Sequence, residues 1–317
     1  MSLAASEEFN RLRERIEKRL GETLPPSLEG QASLRDAIET SVLAPGKRLR
    51  PMLAVLTAID LDGDVDAAID GGCAIELIHT ASLVLDDLPC MDDATLRRGR
   101  PPTHVAFGED TALLAVIAIV ARAFEIVAAT PTLNPEQRTR SVAALGKAVG
   151  THGLVAGQFA DLKGSQETRS EDDVARTNAL KTGALFLAAI EIGMIGSGAP
   201  QETRRELEAF ARELGLAFQL LDDLLDDGPN AGAIGKDVGQ DRGKSTIVSM
   251  IGRASTEDQI DRHMRSALGH LEAGLGPDSR LALLLHVIWK TARQETAHHK
   301  AGQAKAGDRV DEPAGMQ

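Results

Sequence analysis

Apolar residues recur along this chain at helical spacing, and no segment alternates strictly between apolar and polar as a half-buried strand would. Over residues 6–20 the apolar positions fall every third or fourth place among charges. Residues 33–42 repeat the pattern before Pro45-Gly46 breaks it. The basic run Gly46-Lys47-Arg48-Leu49-Arg50-Pro51 opens another helix. A long helix is predicted over 65–88, ending at Pro89, which cannot continue one. Further helices are predicted over 110–129, 135–162, 172–195 and 201–225, and shorter ones over 244–253, 257–273 and 280–298. Gly- and Pro-rich runs at 98–102, 196–200 and 228–232 mark loops, none long or polar enough to join two domains. No repeat of 20–50 residues interrupts the pattern. A single large all-α domain over 1–300 follows, with a disordered tail over 301–317, which is rich in Gly, Ala and charge.

Composition narrows the picture. The chain has 317 residues, of which 43% are hydrophobic but only 3% aromatic, with no Tyr. Small aliphatic side chains must therefore build the core, which suits close helix packing. A formal net charge of −12 argues against general nucleic-acid binding. Any anionic substrate must then be met by local cations or by bound metal. Cys73 and Cys90 form no CxxC pair, and both lie in apolar segments, which predicts buried thiols in a reducing cytoplasm. No basic-then-apolar leader opens the chain. The longest apolar stretch, 111–120, is too short for a membrane span and runs into Arg122 and Glu125. The expectation is a soluble protein.

Two acidic clusters close otherwise apolar helices: Asp86-Asp87-Leu-Pro-Cys-Met-Asp92-Asp93 and Asp222-Asp223-Leu-Leu-Asp226-Asp227. Asp222 and Asp226, four apart, share one helix face. Carboxylates this close repel one another and call for a cation between them. Oxygen donors without His or Cys suit a hard ion, magnesium before zinc. Acidic runs at helix ends are most often solvated surface, and Asp at a helix C-terminus opposes the macrodipole by ~0.3–1 kcal/mol. Two clusters that both accept this cost after apolar runs favour function. Basic residues recur nearby at Lys47, Arg50, Arg97, Arg98, Lys181 (beside Thr182), Lys236 and Lys244, of which Lys244 reads as a surface charge. Together they supply what two diphosphates need: carboxylates for metal, Lys and Arg for the remaining charge.

The motifs PGKRLRP, HTASLVLDDLPCMDDATLRRGRPPTH, GQFADL, KTGALF, FQLLDDLLD and GKDVGQDRGKST resemble those of the trans-isoprenyl diphosphate synthases, the farnesyl and geranylgeranyl diphosphate synthase family. The resemblance runs from Pro45 to about Thr246. It implies a bundle of about a dozen helices around a deep central cavity, paired as a homodimer. It also implies condensation of isopentenyl diphosphate with an allylic diphosphate (dimethylallyl, geranyl or farnesyl). Lys47, Arg50, His79 and Arg98 match the isopentenyl diphosphate ligands. Arg97, Lys181, Thr182, Gln219 and Lys236 match the groups that hold the allylic diphosphate. Asp86, Asp92 and Asp222 match the magnesium ligands, with Asp226 acting through water. Two departures stand out: Pro45-Gly46 replaces the usual Gly-Gly, which stiffens that loop, and Leu85 precedes Asp86 where many members have His. Neither removes a ligand.

Such a site stabilises a departing diphosphate and leaves an allylic carbocation for the isopentenyl double bond to attack. The apolar walls keep out water that would quench the cation. Four residues separate Asp87 from Asp92, and Ala81 stands five before Asp86, where short-product bacterial relatives carry a bulky aromatic. By resemblance to bacterial carotenoid-type enzymes the expected product is geranylgeranyl diphosphate (C20), with farnesyl diphosphate (C15) second. Ala81, Ser82 and Leu77 are the expected chain-length positions, with Ile78, or Val116, Ile117 or Val120 on a facing helix, as further floor candidates. A reading of another class starts from two Glu-x-x-His pairs, Glu76–His79 and Glu295–His298, the signature of di-iron carboxylate bundles. A catalytically dead subunit is a third reading, opposed by the complete set of motif Asp, Lys and Arg residues.

Overall fold

The structure, a computed structural model, describes residues 3–26, 29–164, 170–226 and 247–307. Among these the chain is all-α, with fourteen α-helices, one π-helical turn and no strand. Its axis is α4 (Val65–Asp86), buried along most of its length. Asp64 starts this helix by accepting the Ala67 N–H at 2.9 Å, an N-cap bond. Around α4 pack α3 (Leu49–Asp60), α6 (Glu109–Ala129) and α10 (Ala184–Met194).

Glycines let the backbones of these helices approach closely. A Cβ on Gly71 would sit 2.2 Å from the Ile192 Cγ2, one on Gly72 2.9 Å from the Pro51 Cα, and one on Gly193 2.4 Å from the Ala54 carbonyl oxygen. This is the close packing that the aromatic-poor composition requires. The outer layer includes α1 (Leu3–Glu22), α2 (Ala32–Val42) and α7 (Pro135–Val149), the last opened by a capping box between Asn134 and Gln137. A long pair, α11 (Gln201–Asp226) and α13 (Arg253–Leu275), forms the other side. The C-terminal helix α14 (Arg280–Gly307) is clasped to the start of the chain. Asp60 accepts the backbone N–H groups of Arg280 and Leu281 at 3.0 and 2.9 Å, and the Arg280 Nε donates to Glu8 at 2.8 Å.

Several expectations change. The single helix predicted over 135–162 is two, α7 and α8 (Leu154–Gly164), broken at Gly150 and Gly153. A Cβ on Gly153 would lie 2.0 Å from the Ala148 carbonyl oxygen, so the chain folds tightly back on the end of α7. The helix predicted over 172–195 is α9 (Glu171–Asn178), the π turn Ala179–Gly183 and α10. The last helix, predicted over 280–298, continues to Gly307 through a run of Ala, Gln and Lys that favours helix. Residues 308–317 lie outside the described residues. Cys73 is buried as expected, but Cys90 is exposed, in the turn that follows the end of α4.

The apolar stretch 111–120 belongs to a 21-residue helix, so α6, like α4, is long and apolar enough to cross a membrane by length and composition. Most of α4 is covered by the fold, whereas α6 is covered on one side only. Its outer face carries Leu113, Leu114 and Ile117, beside Val105 of the short α5 (Thr103–Phe107). These four are 46%, 57%, 65% and 57% exposed respectively.

Candidate active site

The first acidic cluster is assembled by a turn that folds back on the end of α4. The Asp92 N–H donates to the Asp86 carbonyl at 3.0 Å, Asp93 N–H to Leu88 and Ala94 N–H to Asp87. These bonds satisfy carbonyls that a helix end leaves free, and they set Asp92 beside Asp86 despite the five intervening residues. Burial, reinforced by Asp92 and Asp87 against Lys181 and Arg97, pushes the Asp86 carboxyl up to about 6. Asp87, by contrast, is buried and bonded to Arg97, whose Nε donates to its Oδ1 at 2.8 Å. Asp87 therefore orients Arg97 rather than adding a free donor.

Lys181 faces Asp86 from the π turn. π turns insert an extra residue into a helix and are frequent at functional sites. Its Nζ lies 3.0 Å from Asp161 of α8, and burial is outweighed by Asp86, Asp161 and Asp92, so the ammonium is held above its ordinary value. Thr182, next on the turn, donates its hydroxyl to the Gln219 Oε1 at 2.7 Å, and the Gln219 Nε2 donates to Asp223 at 2.9 Å. Two glycines admit neighbouring helices to this turn: a Cβ on Gly157 of α8 would lie 2.5 Å from the Lys181 backbone N, and one on Gly215 of α11 2.9 Å from the Gly183 Cα.

The cationic side gathers on α3, α4 and the loop after the first cluster. Arg50 is half-buried, with its guanidinium 4.8 Å over the Phe186 ring, and its buried Nε has no hydrogen-bond partner among the described residues. Burial holds its pKa below the ordinary value, with Arg98 adding to the fall and Glu76 and Asp222 opposing it. His79 is pushed well below its usual range by burial and then by Arg50, Arg98, Arg48 and Arg97, so its imidazole is neutral. Arg98 sits with Gly99 at the tip of a tight turn, both at positive φ, and donates to the Pro45 carbonyl at 2.9 Å. Its residue is open to solvent overall. The guanidinium end is tucked against the loop, and desolvation there, with Arg48 and Arg97, lowers it too. Lys47 is exposed on the same loop.

Asp222 is exposed at the C-terminal end of α11 and near enough to Arg50 to stabilise its charge. The backbone of Asp226 belongs to the same helix, but its side chain, like Lys236 and Lys244, lies outside the described residues. Among the described residues no three carboxylate, His or Cys groups converge as a preformed metal cage. That suits magnesium, which commonly takes one or two carboxylates and completes its shell with substrate phosphates and water. The crowded, raised Asp86 carboxyl is the local feature a cation would relieve.

Ser82 is half-buried on the α4 side that carries His79 and Asp86, and its hydroxyl donates to the His79 carbonyl at 2.8 Å. Ala81 is buried, in a row with Leu77, Val84 and Leu88. Ile78 and Val116 are buried and Val120 half-buried, but Ile117 is 65% exposed and cannot belong to a channel floor. It lies about 100° round α6 from Val116, on the outer face. The Glu-x-x-His pair of α4 is also spoken for: Glu76 accepts from Arg48, and His79 is surrounded by arginines, a poor setting for iron. The side chains of Glu295 and His298 lie outside the described residues. Asp161 and Arg48 were given no role in the sequence, although GQFADL and PGKRLRP contain them, and Glu76 entered only as half of the di-iron pair.

The polyprenyl synthetase family model matches residues 31–273. A geranylgeranyl diphosphate synthase of Pseudescherichia vulneris is 43% identical over 284 residues, covering 89% of this chain and 91% of that protein. A farnesyl diphosphate synthase of Geobacillus stearothermophilus is 37% identical over 265 residues, covering 82% and 89%. Among solved structures, a geranyltransferase of Helicobacter pylori, complexed with magnesium and isoprenyl diphosphate, superposes with a TM-score of 0.83 at 28% identity, covering 92% of this chain and 99% of that one.

Proposed function

The chain belongs to the polyprenyl synthetase family, and from that premise we propose that it is a trans-prenyltransferase making geranylgeranyl diphosphate from isopentenyl diphosphate and an allylic diphosphate. One observation carries the reading: two clusters under opposite electrostatic strain share the site. Asp86 is raised to about 6 and needs a cation, while Arg50 and Arg98 are lowered and need an anion. A magnesium–diphosphate complex beside a second diphosphate relieves both.

In this reading Asp86, Asp92 and Asp222 would hold the metal, with Asp226 in a supporting role. Bound magnesium neutralises negative charge on the departing diphosphate. Lys181, Thr182, Gln219, Arg97 and Lys236 grip the allylic diphosphate, and Lys181 is already fixed by Asp161 to meet it. Lys47, Arg50, Arg98 and neutral His79 receive the isopentenyl diphosphate. The allylic C–O bond breaks with its electron pair leaving on diphosphate. The isopentenyl double bond then attacks the cation, and the proton lost from the adduct passes to the released diphosphate. The aliphatic walls exclude water throughout.

The C20 product rests on small Ala81 and Ser82 and on likeness to the geranylgeranyl synthase, with C15 as the alternative. The exposed apolar face of α5 and α6 supports a homodimer formed through it, in a soluble, cytoplasmic enzyme whose synthase unit spans 1–300. Product analysis with dimethylallyl, geranyl and farnesyl diphosphates as separate primers tests the activity. Failure to consume isopentenyl diphosphate with any primer in magnesium would refute it, and a main C15 product would refute the C20 assignment. Leu114→Glu with Ile117→Glu should yield monomers by light scattering; an unchanged dimer would place the interface elsewhere.

A further inference from the structure

The run Lys47-Arg48-Leu49-Arg50 places three cations within four residues, but the middle one turns inward. Arg48 is at φ +46, in the left-handed region that side chains other than Gly rarely adopt. Its side chain is only 2% exposed. The Nε donates to Glu17 at 2.9 Å and Nη2 to the second Glu17 oxygen at 3.3 Å. Nη1 donates to Glu76 at 2.9 Å, and Nη2 also reaches the carbonyls of Val42 and Ala44 at 3.2 and 2.8 Å. Burying a guanidinium is unfavourable unless its donors are met, and here five bonds meet them. Burial alone would lower its pKa, yet bonds to Glu17 and Glu76 leave it raised.

We infer that Arg48, gripped by Glu76 and Glu17, is a positioning residue for the isopentenyl diphosphate site, and that it couples the N-terminal helix α1 to binding of that substrate. The inference rests on the assignment of that site proposed above. The left-handed turn at Arg48 sets the directions in which Lys47, before it, and Arg50, after it, leave the chain. Glu76 stands three residues before His79 on α4, so anchor and site residue share one rigid helix. The hold extends to Arg98. It donates to the Pro45 carbonyl, next to the Ala44 carbonyl that Arg48 takes, and a Cβ on Gly46 would lie 3.3 Å from both guanidinium groups. A side chain at position 46 would press on both guanidinium groups. Glu17 contributes from α1, whose sequence carries none of the motifs.

The rival reading is a buried ion pair that only holds α1, α3 and α4 together. Steady-state kinetics separate the two. Glu17 is 37% exposed, so Glu17→Gln removes a charge without stranding one in the core. It should raise KM for isopentenyl diphosphate about tenfold (~1.4 kcal/mol), with kcat and the allylic KM close to wild type. Arg48→Lys, which keeps the charge but loses the fork of donors, should show the same split more strongly. Glu14→Gln, on an exposed position of α1, should behave as wild type. Variants that melt earlier while keeping a wild-type KM for isopentenyl diphosphate, or that raise both KM values alike, overturn the inference alone. A wild type that does not consume isopentenyl diphosphate overturns the functional reading and this inference with it.

Discussion

Gly157→Ala adds one methyl group where α8 meets the π turn, and its consequences can be worked from the contacts. The new Cβ would lie 2.5 Å from the Lys181 N, 2.8 Å from its Cα and 2.9 Å from the Leu180 carbonyl carbon. All three are backbone atoms, so no flexible side-chain end can swing aside. Ordinary contact needs roughly 3.5 Å, so α8 or the turn must move by about 1 Å. Overpacking of this kind costs typically ~1–3 kcal/mol of stability. The displaced atoms are those that set Lys181 against Asp161 and Asp86, and a misplacement of about 1 Å at a reacting centre can cost ~10²-fold in rate. Initial rates with labelled isopentenyl diphosphate, read beside a thermal melt, should show kcat/KM for the allylic substrate falling by about that factor. KM for isopentenyl diphosphate should change little, because Lys47, Arg50 and His79 stand on other elements. Gly146→Ala is the matched control. It lies inside α7 with nothing within 4 Å, and should stabilise by ~0.4–1 kcal/mol through the unfolded chain without touching activity. Wild-type kinetics and a wild-type melting temperature in Gly157→Ala would refute the reasoning.

Asp86→Ala and Asp222→Ala should each lower turnover by at least ~10²-fold while circular dichroism stays helical, and chelation of magnesium should do the same to the wild type; near-normal turnover in either variant would sink the metal assignment. Arg50→Ala should raise KM for isopentenyl diphosphate roughly 10- to 150-fold, the worth of a charge-assisted contact of ~1.5–3 kcal/mol, whereas Lys181→Ala should weaken allylic binding or ionisation instead. Matching kinetic profiles for the two would contradict the division of the site. Ala81→Tyr should shorten the main product to C15 with the fold retained; an unchanged C20 product from a stable variant, or a drop in stability of ~1–3 kcal/mol with no product switch, would make Ala81 a packing contact only.

The helices and the acidic motifs were legible because each is written locally. Apolar periodicity marks a buried helix face, and Asp after an apolar run is conspicuous. What stayed hidden depends on groups distant in sequence. The apolar pattern continues across Gly150 and Gly153, so periodicity alone cannot see the chain fold back between α7 and α8. The π turn leaves no mark in composition, since its extra residue is absorbed by the hydrogen-bond ladder. Lys181 was visible as a lone cation in an apolar helix, but its partner Asp161 lies 20 residues earlier on another helix. Arg48 reads as one more cation beside Lys47 and Arg50, and only its left-handed backbone and its partners on α1 and α4 turn it inward. Ile117 looked like core beside Val116; which face of α6 meets α4 is decided by packing.

The clasp on α14 bears on the order in which the molecule is made. Asp60 and Arg280 are 220 residues apart, and Glu8 and Arg280 are 272 apart. Contacts of such separation form late, because the intervening chain must be ordered before closure repays its entropy. On the ribosome, Asp60 and Glu8 emerge long before their partner exists. The segments that bear Lys47, Arg50, His79, Asp86 and Lys181 are all synthesised before α14. The amides of Arg280 and Leu281 should therefore gain protection from hydrogen exchange after those of α4, with the catalytic half assembled first and the last helix closing over its outer layer.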